Sequence, residues 1–347
     1  MHRFDYSEIL GDIPAEIVKL MMDITKIRSL EKIRHQRYEN DYDHLENIAK
    51  LASVKFSNAI EGICTSDDRI EEIVLRNGKP LTHSENEIAG YSNALNDIHA
   101  RYDELSIDRE TIIDLHTKLR TRGSDRRAYK DKDNAIVSID KEGNRYLVFE
   151  PVSAKETEWH MEQLCLAYSE LSTQGYDPLL YIPCVILDFL CIHPFIDGNG
   201  RMSRLLTMLL LYREGMDVCR YISMDEHISL TKDEYYRSLG QSSTGWKENR
   251  WSYFPFIRYF LRTLLECYID LDTRFGIVEG RRIGKSESVE NAIKNSLAPI
   301  SKRQLCMILK DVSPYTVEKS LKRLLSEGKI ERIGETKGAR YVHKDNK

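Results

Sequence analysis

The chain is predicted to be mainly α-helical, with one β-hairpin set into the helical body and a small helix-and-strand unit at its C-terminal end. Three observations carry this. Apolar residues recur at helical spacing through most of residues 5–272, strand-like alternation is confined to residues 135–149, and a glycine- and charge-rich stretch at 276–288 sets off residues 289–347.

Length and composition bound the function. A chain of 347 residues can hold more than one domain and a sizeable core. Its 41% hydrophobic and 31% charged residues are those of an ordinary soluble protein, and a net charge of −4 gives no global attraction to nucleic acid or anionic membrane. The average hides an asymmetry: residues 285–347 carry 14 Lys and Arg against 8 Asp and Glu, a net +6 that leaves −10 for the rest. The seven cysteines, at 64, 165, 184, 191, 219, 267 and 306, are odd in number and never in C-x-x-C spacing. They read as reduced thiols, not as a disulfide framework or zinc site, and Cys191 belongs to an apolar run that marks it as core. The N-terminus lacks a signal pattern and no stretch approaches 18 apolar residues, so the expected location is the cytoplasm and no membrane partner is expected.

The elements follow in order. Residues 5–40 have helical periodicity, and a clearer helix runs from Asp43 through Ile48, Ala52, Phe56 and Ile60 to Gly62, a good residue just past a helix end. Ser84-Glu-Asn-Glu87 reads as a capping box opening a helix with Ile88, Tyr91, Leu95 and Ile98 on one side. Asp108 can cap the next helix. Residues 135–139 and 145–149 then flank the turn Asp140-Lys-Glu-Gly-Asn144, a hairpin signal. Ser153-Ala-Lys-Glu156 is a second capping box. Asp177-Pro178 starts a helix apolar nearly all round, hence central. Thr231-Lys-Asp-Glu234 caps a helix bearing Tyr235 and Tyr236, and residues 251–272 form a long amphipathic helix. Beyond the 276–288 linker, Ser301 starts a short helix, Tyr315–Ser326 form a second, and residues 329–333 and 339–342 form two strands around a basic loop.

The chemistry concentrates in His193-Pro-Phe-Ile-Asp-Gly-Asn-Gly-Arg-Met-Ser-Arg204, followed at once by a helical apolar pattern. A loop entering a helix N-terminus presents bare N–H groups and the positive end of the macrodipole, so it attracts anions. Gly198 and Gly200 admit a phosphate close to the backbone, and Asn199 suits a tight turn. Arg201 and Arg204, three apart, can grip successive phosphates. Asp197 is a hard oxygen ligand for Mg²⁺. His193 titrates near neutrality and can take a proton from a hydroxyl.

This run resembles the signature of the Fic (Fido) family, His-Pro-Phe-x-(Asp/Glu)-Gly-Asn-Gly-Arg-x-x-Arg, and fills every specified position. The resemblance implies a Fic-type helical core in which His193 is the general base, Asp197 holds Mg²⁺, and Gly198, Asn199, Gly200, Arg201 and Arg204 take the phosphates of ATP. Relatives transfer AMP from ATP to Ser, Thr or Tyr of a protein, sometimes of themselves, and release pyrophosphate. The resemblance makes the hairpin a flap over the target segment, with Ile136 and Val137 over the triphosphate, where residues alone leave a plain surface hairpin equally open. It makes Tyr235 and Tyr236 a lining of the adenine pocket rather than core or surface tyrosines. Ser243 stands where many relatives carry Asn.

Ser57-Asn-Ala-Ile-Glu61-Gly62 adds a second resemblance. Ser57 and Glu61 are one helical turn apart and fall off the apolar stripe. The segment resembles the Fic inhibitory motif (Ser/Thr)-x-x-x-Glu-(Gly/Asn), which implies that Glu61 pairs with Arg204 and lowers basal activity.

The expected organisation is an N-terminal helical region at 1–83, a Fic catalytic domain at 84–275, the linker at 276–288 and a winged-helix-like domain at 289–347. In the last, Lys319, Lys322 and Arg323 would lie on a recognition helix, with Lys337 and Arg340 on the wing. Winged helices also dock proteins, so DNA and protein both remain as partners, as does a homo-oligomer. Two functions compete: a protein adenylyltransferase, and a DNA-binding regulator whose pocket senses nucleotide. An intact His193 favours the enzyme, because sensing needs only the anion loop and arginines.

Overall fold

The computed structural model describes residues 2–37, 39–120, 128–139, 145–278, 285–294, 299–309, 312–334 and 339–344. The periodic stretch at 5–40 is two helices, α1 (Ser7–Leu10) and α2 (Ala15–Arg37), interrupted at Gly11–Pro14. α3 (Glu39–Ile60) ends where Gly62 takes φ +78°. Helix α4 (Asp67–Arg76) starts on Ser66 and stops on a left-handed Asn77. α5 (His83–Arg101) starts on Thr82, whose side chain accepts from the Glu85 N–H. The expected box at Ser84–Glu87 is therefore displaced by two residues, because Glu85 turns its carboxylate to Arg69 and to the Leu81 N–H. α6 (Arg109–Leu119) is capped by Asp108 as expected.

Strands β1 (Ile136–Ile139) and β2 (Arg145–Phe149) pair antiparallel, Val137 opposite Leu147, with an irregularity at Ile136/Val137. The turn at 140–144 lies outside the described residues. α7 (Ala154–Thr173) follows Ser153, but the Ser153 hydroxyl donates to the Glu156 carboxylate and caps no backbone group. α8 (Pro178–Ile192) starts on Asp177 and is buried except at Pro178 and Leu190; α9 (Asn199–Arg213) is buried except at Gly200 and Arg213. This pair is the centre of the molecule. Around it come α10 (Val218–Tyr221), α11 (Met224–Leu230), α12 (Lys232–Ser243) and α13 (Phe254–Val278), which packs along α2. Thr231 precedes α12 without capping it, because its hydroxyl is used by the His227 carbonyl and the Tyr259 hydroxyl.

One apolar core unites residues from Tyr6 to Leu271, so α1 to α4 pack into the same body as α8 and α9. Inside it lies Asp188 of α8, fully buried. Its carboxylate accepts from Tyr6 Oη (2.8 Å), Trp246 Nε1 (2.8 Å) and Tyr253 Oη (3.0 Å), tying the N-terminal segment and the loop between α12 and α13 to the central helix. Burial pushes this carboxyl up to about 7, with the three donors pulling against it. Asp188→Leu strands three buried donors. It should lower stability by about 3 kcal/mol or more, read as a fall in the urea midpoint at unchanged slope; an unmoved midpoint would contradict the network's role.

A second, separate core is built by α14 (Lys285–Lys294), β3 (Ile300–Ser301), α15 (Lys302–Ile308), α16 (Pro314–Ser326), β4 (Ile330–Ile333) and β5 (Arg340–His343), in strand order β3-β5-β4. The expected linker is partly helical: α13 continues to Val278 and α14 begins at Lys285, while 279–284 lie outside the described residues. A third, two-residue strand joins the two expected. The cations of this unit are largely partnered. Arg303 meets Glu71 (2.8 Å), Arg340 meets Asp67 (2.5 Å), Lys322 meets Glu318 (3.1 Å) and Arg323 faces Glu290 (3.7 Å), while Lys319 is exposed and Lys337 lies outside the described residues. Among the described residues no helix is long and apolar enough to cross a membrane.

Candidate active site

The site forms where α8 stops and α9 starts. His193 ends α8 in the left-handed region (φ 52°, ψ 60°), a conformation that costs an L-residue about 1–2 kcal/mol. Its Nδ1 lies 3.3 Å from the Leu190 carbonyl, which can only accept, so Nδ1 carries the hydrogen and Nε2 keeps the lone pair. Burial drives the imidazole down to about 4; the nearby Lys130 charge adds to this, and the Leu190 carbonyl, Glu61 and Asp197 oppose it.

The loop after His193 is held from several sides. The Phe195 ring stacks on His116 at 3.6 Å and 3°. The Asn199 side chain closes the turn, accepting from the Phe195 N–H (2.9 Å) and donating to its carbonyl (2.7 Å), so it faces inward. His116 Nε2 contacts the Asp197 carbonyl at 2.9 Å. The Asp197 carboxylate is exposed at the mouth, with Oδ1 accepting from the Gly198 N–H (2.7 Å). Gly198 adopts φ +84°, which lets the chain turn into α9 with its first N–H groups facing the mouth.

The N-terminal helices close on that opening. Arg204 Nη2 donates to Glu61 Oε1 (2.8 Å) and to the Ser57 carbonyl (2.8 Å), and Nε donates to Ser57 Oγ (2.7 Å). Gly200 makes room: a Cβ there would stand 2.2 Å from Glu61 Oε1. Glu61 therefore occupies the anion-attracting start of α9 and its arginine together. Behind Arg204, Asp225 Oδ1 is 3.4 Å from Nε. Arg204 is only 4% exposed, yet its Nη1 has no hydrogen-bond partner among the described residues. Arg201, three residues earlier, points to other partners: Glu87 of α5 at 2.5 Å and Asn58 at 3.4 Å. The two guanidiniums thus face separate carboxylates in this state.

Tyr235 is buried and Tyr236 about half exposed, their rings 5.2 Å apart. Tyr235 lines a small cavity of about 20 Å³ with Arg204, Asp225, Phe256 and Tyr259. Lys232, at the start of the same helix, donates to the Ile60 carbonyl (2.7 Å), one residue before Glu61. Val137 is exposed on β1 and Ile136 half-buried. Ser243 Oγ contacts the Gly240 carbonyl at 3.3 Å. Asn58, Glu87, Asp225, His116, Lys130 and Asn134 all shape the site, and none was given a role there from the sequence. Asn58 lay inside the Ser57–Glu61 segment, Glu87 in the expected capping box and Asn134 beside the expected hairpin.

Among known proteins, the Fic/DOC family profile matches residues 106–211. Over 257 residues the chain is 25% identical to the protein adenylyltransferase fic-1 of Caenorhabditis elegans, covering 69% of this chain and 45% of that protein. A shorter stretch of 62 residues is 42% identical to a Fido domain-containing protein of Dictyostelium discoideum, 18% of this chain and 39% of that one. The chain thus spans under half the length of these curated relatives. A Fic family protein from Desulfovibrio desulfuricans superposes with TM-score 0.62 at 19% identity over 96% of this chain and 97% of that one. Fic-1 from C. elegans superposes with TM-score 0.56 at 20% identity, over 74% and 72%.

Proposed function

We propose that this chain, which belongs to the Fic/DOC family, transfers AMP from ATP to a Ser, Thr or Tyr hydroxyl of a protein and is held in check by Glu61. The observation that carries the reading is His193 itself: it opens the short loop that leads into the anion-attracting start of α9, and the Leu190 carbonyl sets the tautomer that leaves the Nε2 lone pair to accept a proton. In the reaction the target hydroxyl gives its proton to Nε2 while its oxygen attacks the α-phosphorus. The bond from that phosphorus to the oxygen bridging the β-phosphate breaks, and pyrophosphate leaves.

The other residues serve this step. The N–H groups of Asn199 and Gly200 and the Arg204 guanidinium hold the polyphosphate, and Arg204 Nη1, without a hydrogen-bond partner among the described residues, is a donor ready for one of its oxygens. Tyr235 and Tyr236 take the base. The target segment lies along the β1–β2 hairpin, with Ile136 and Val137 over the phosphates. Mg²⁺ fits the donor set present: Asp197 is an exposed carboxylate with one oxygen accepting from the Gly198 N–H and the other without a hydrogen bond among the described residues. Such an ion neutralises phosphate charge as it develops.

Low pH offers one check. The base must be neutral, so activity is lost as pH falls through the His193 pKa. With burial holding that value near 4, kcat/KM of the free enzyme should stay level from neutral pH to well below 6, whereas an unperturbed histidine would lose activity near 6.5. The direct test is incubation with lysate, Mg²⁺ and ATP radiolabelled at the α-phosphorus. Label on a protein supports the reading; no label, even with Glu61→Gly, contradicts it. The competing DNA-binding reading is weakened by the carboxylates already paired with Arg303, Arg340, Lys322 and Arg323.

A further inference from the structure

Each of four consecutive carbonyls, those of residues 192 to 195, accepts a hydrogen bond from Lys130 or Asn134, and the Phe195 carbonyl takes a second from Asn199 Nδ2. Lys130 Nζ donates to the Ile192 carbonyl (3.1 Å) and the Lys130 N–H to the Pro194 carbonyl (2.8 Å). Asn134 Nδ2 donates to the His193 carbonyl (3.4 Å) and the Phe195 carbonyl (2.9 Å). The two are joined to each other, Lys130 Nζ to Asn134 Oδ1 at 2.8 Å. We infer that Lys130 and Asn134 are positioning residues for the transfer reaction: together they hold the His193 backbone in its left-handed turn and so aim Nε2 at the target hydroxyl.

Physical chemistry says why such a clamp is needed. The last carbonyls of a helix have no intrahelical donor, and α8 ends in the interior where water cannot serve them. A glycine would take the left-handed turn freely, but the position must carry an imidazole, so the surroundings have to enforce it. The enforcing group is itself unusual. Lys130 is 5% exposed, a costly place for an ammonium unless its donors are used. Burial pulls it down to about 8. A polar loop that merely covered the core would need neither a buried lysine nor donors matched to the four carbonyls of residues 192 to 195. The same residues lead into β1, so the support for the base and the flap for the target share one segment.

This inference rests on the AMP-transfer reading, and its test separates the two. In a Glu61→Gly background, Lys130→Met should lower kcat about tenfold while ATP affinity and the fraction of molecules binding ATP stay unchanged, since misaimed groups cost rate and not nucleotide binding. Lys130→Arg, which keeps charge and donors, should restore most of the rate. Asn134→Ala, which leaves both Lys130 bonds to the 192–195 carbonyls in place, should lower kcat by several-fold. An unchanged kcat in Lys130→Met and Asn134→Ala, a loss that only follows the fraction binding ATP, or no recovery with Arg would overturn the assignment. Imidazole nitrogen NMR adds a readout independent of transfer: the unmodified chain should show His193 as the Nδ1–H tautomer, and Lys130→Met a mixture. A spectrum identical in both would also overturn it. If Glu61→Gly transfers no AMP, the functional reading falls, and the spectra alone judge the clamp.

Discussion

Replacing Glu61 with glycine is expected to raise AMP transfer by about ten- to a hundredfold, measured at saturating ATP and Mg²⁺. The expectation follows from what Glu61 does to Arg204. It accepts a 2.8 Å hydrogen bond from a guanidinium that is 4% exposed, and it covers the N-terminus of α9 at Gly200. A hydrogen bond to a charged group is worth about 1.5–3 kcal/mol, and each 1.4 kcal/mol is a tenfold change in rate. Removing it frees both the cation and the helix start for the phosphates. Ser57 Oγ and Asp225 remain to keep Arg204 in place, so the variant should gain activity and not lose its pocket. Burial pushes the Asp225 carboxyl up to about 6 against the pull of Arg204. Arg204→Ala added to Glu61→Gly should erase the gain, because the freed donor is gone. Equal rates for the unmodified chain and Glu61→Gly would refute the clamp.

His193→Ala, made in the activated background, should cost about a hundred- to ten-thousandfold in kcat, the range of a positioned general base. ATP affinity should be nearly unchanged. The phosphate-facing groups sit on α9, and among the described residues the imidazole hydrogen-bonds to the Leu190 carbonyl of its own helix end, so removing the ring leaves that binding surface standing. Alanine also tolerates the left-handed turn poorly, so the unfolding midpoint should be followed alongside. Transfer at the activated rate in this variant would remove His193 from the chemistry.

The parts legible in the sequence were those set by local rules. The apolar run from Leu179 to Ile192 gave a central helix, Asp108 and Asp177 gave real caps, and the strand alternation gave β1 and β2. The run from His193 to Arg204 and the Ser57–Glu61 pair pointed to the site because both patterns are contiguous. What stayed hidden depends on distant segments. Glu87 and Asp225 choose their arginines only once α5 and α11 have packed; the local pattern read Glu87 as part of a cap and did not mark Asp225. Lys130 and Asn134 sit in a run of lysines and aspartates that reads as a solvated loop, yet they reach inward to the end of α8. The caps at Ser153 and Thr231 failed for a related reason. Their hydroxyls found Glu156 and Tyr259, partners that compete with the backbone they were expected to cap. Helix α14 was masked by the serine, lysine and glutamate of its own first turns, a composition shared with linkers.

The most direct test compares two labels on one nucleotide. Glu61→Gly is incubated with a target-bearing lysate and Mg²⁺, once with ATP labelled at the α-phosphorus and once at the γ-phosphorus, and the protein fraction is counted. Attack on the α-phosphorus with His193 as base, and Arg204 freed from Glu61, leaves the α label on protein and sends the γ label away in pyrophosphate. Protein-bound γ label, or neither label on protein, would contradict the account.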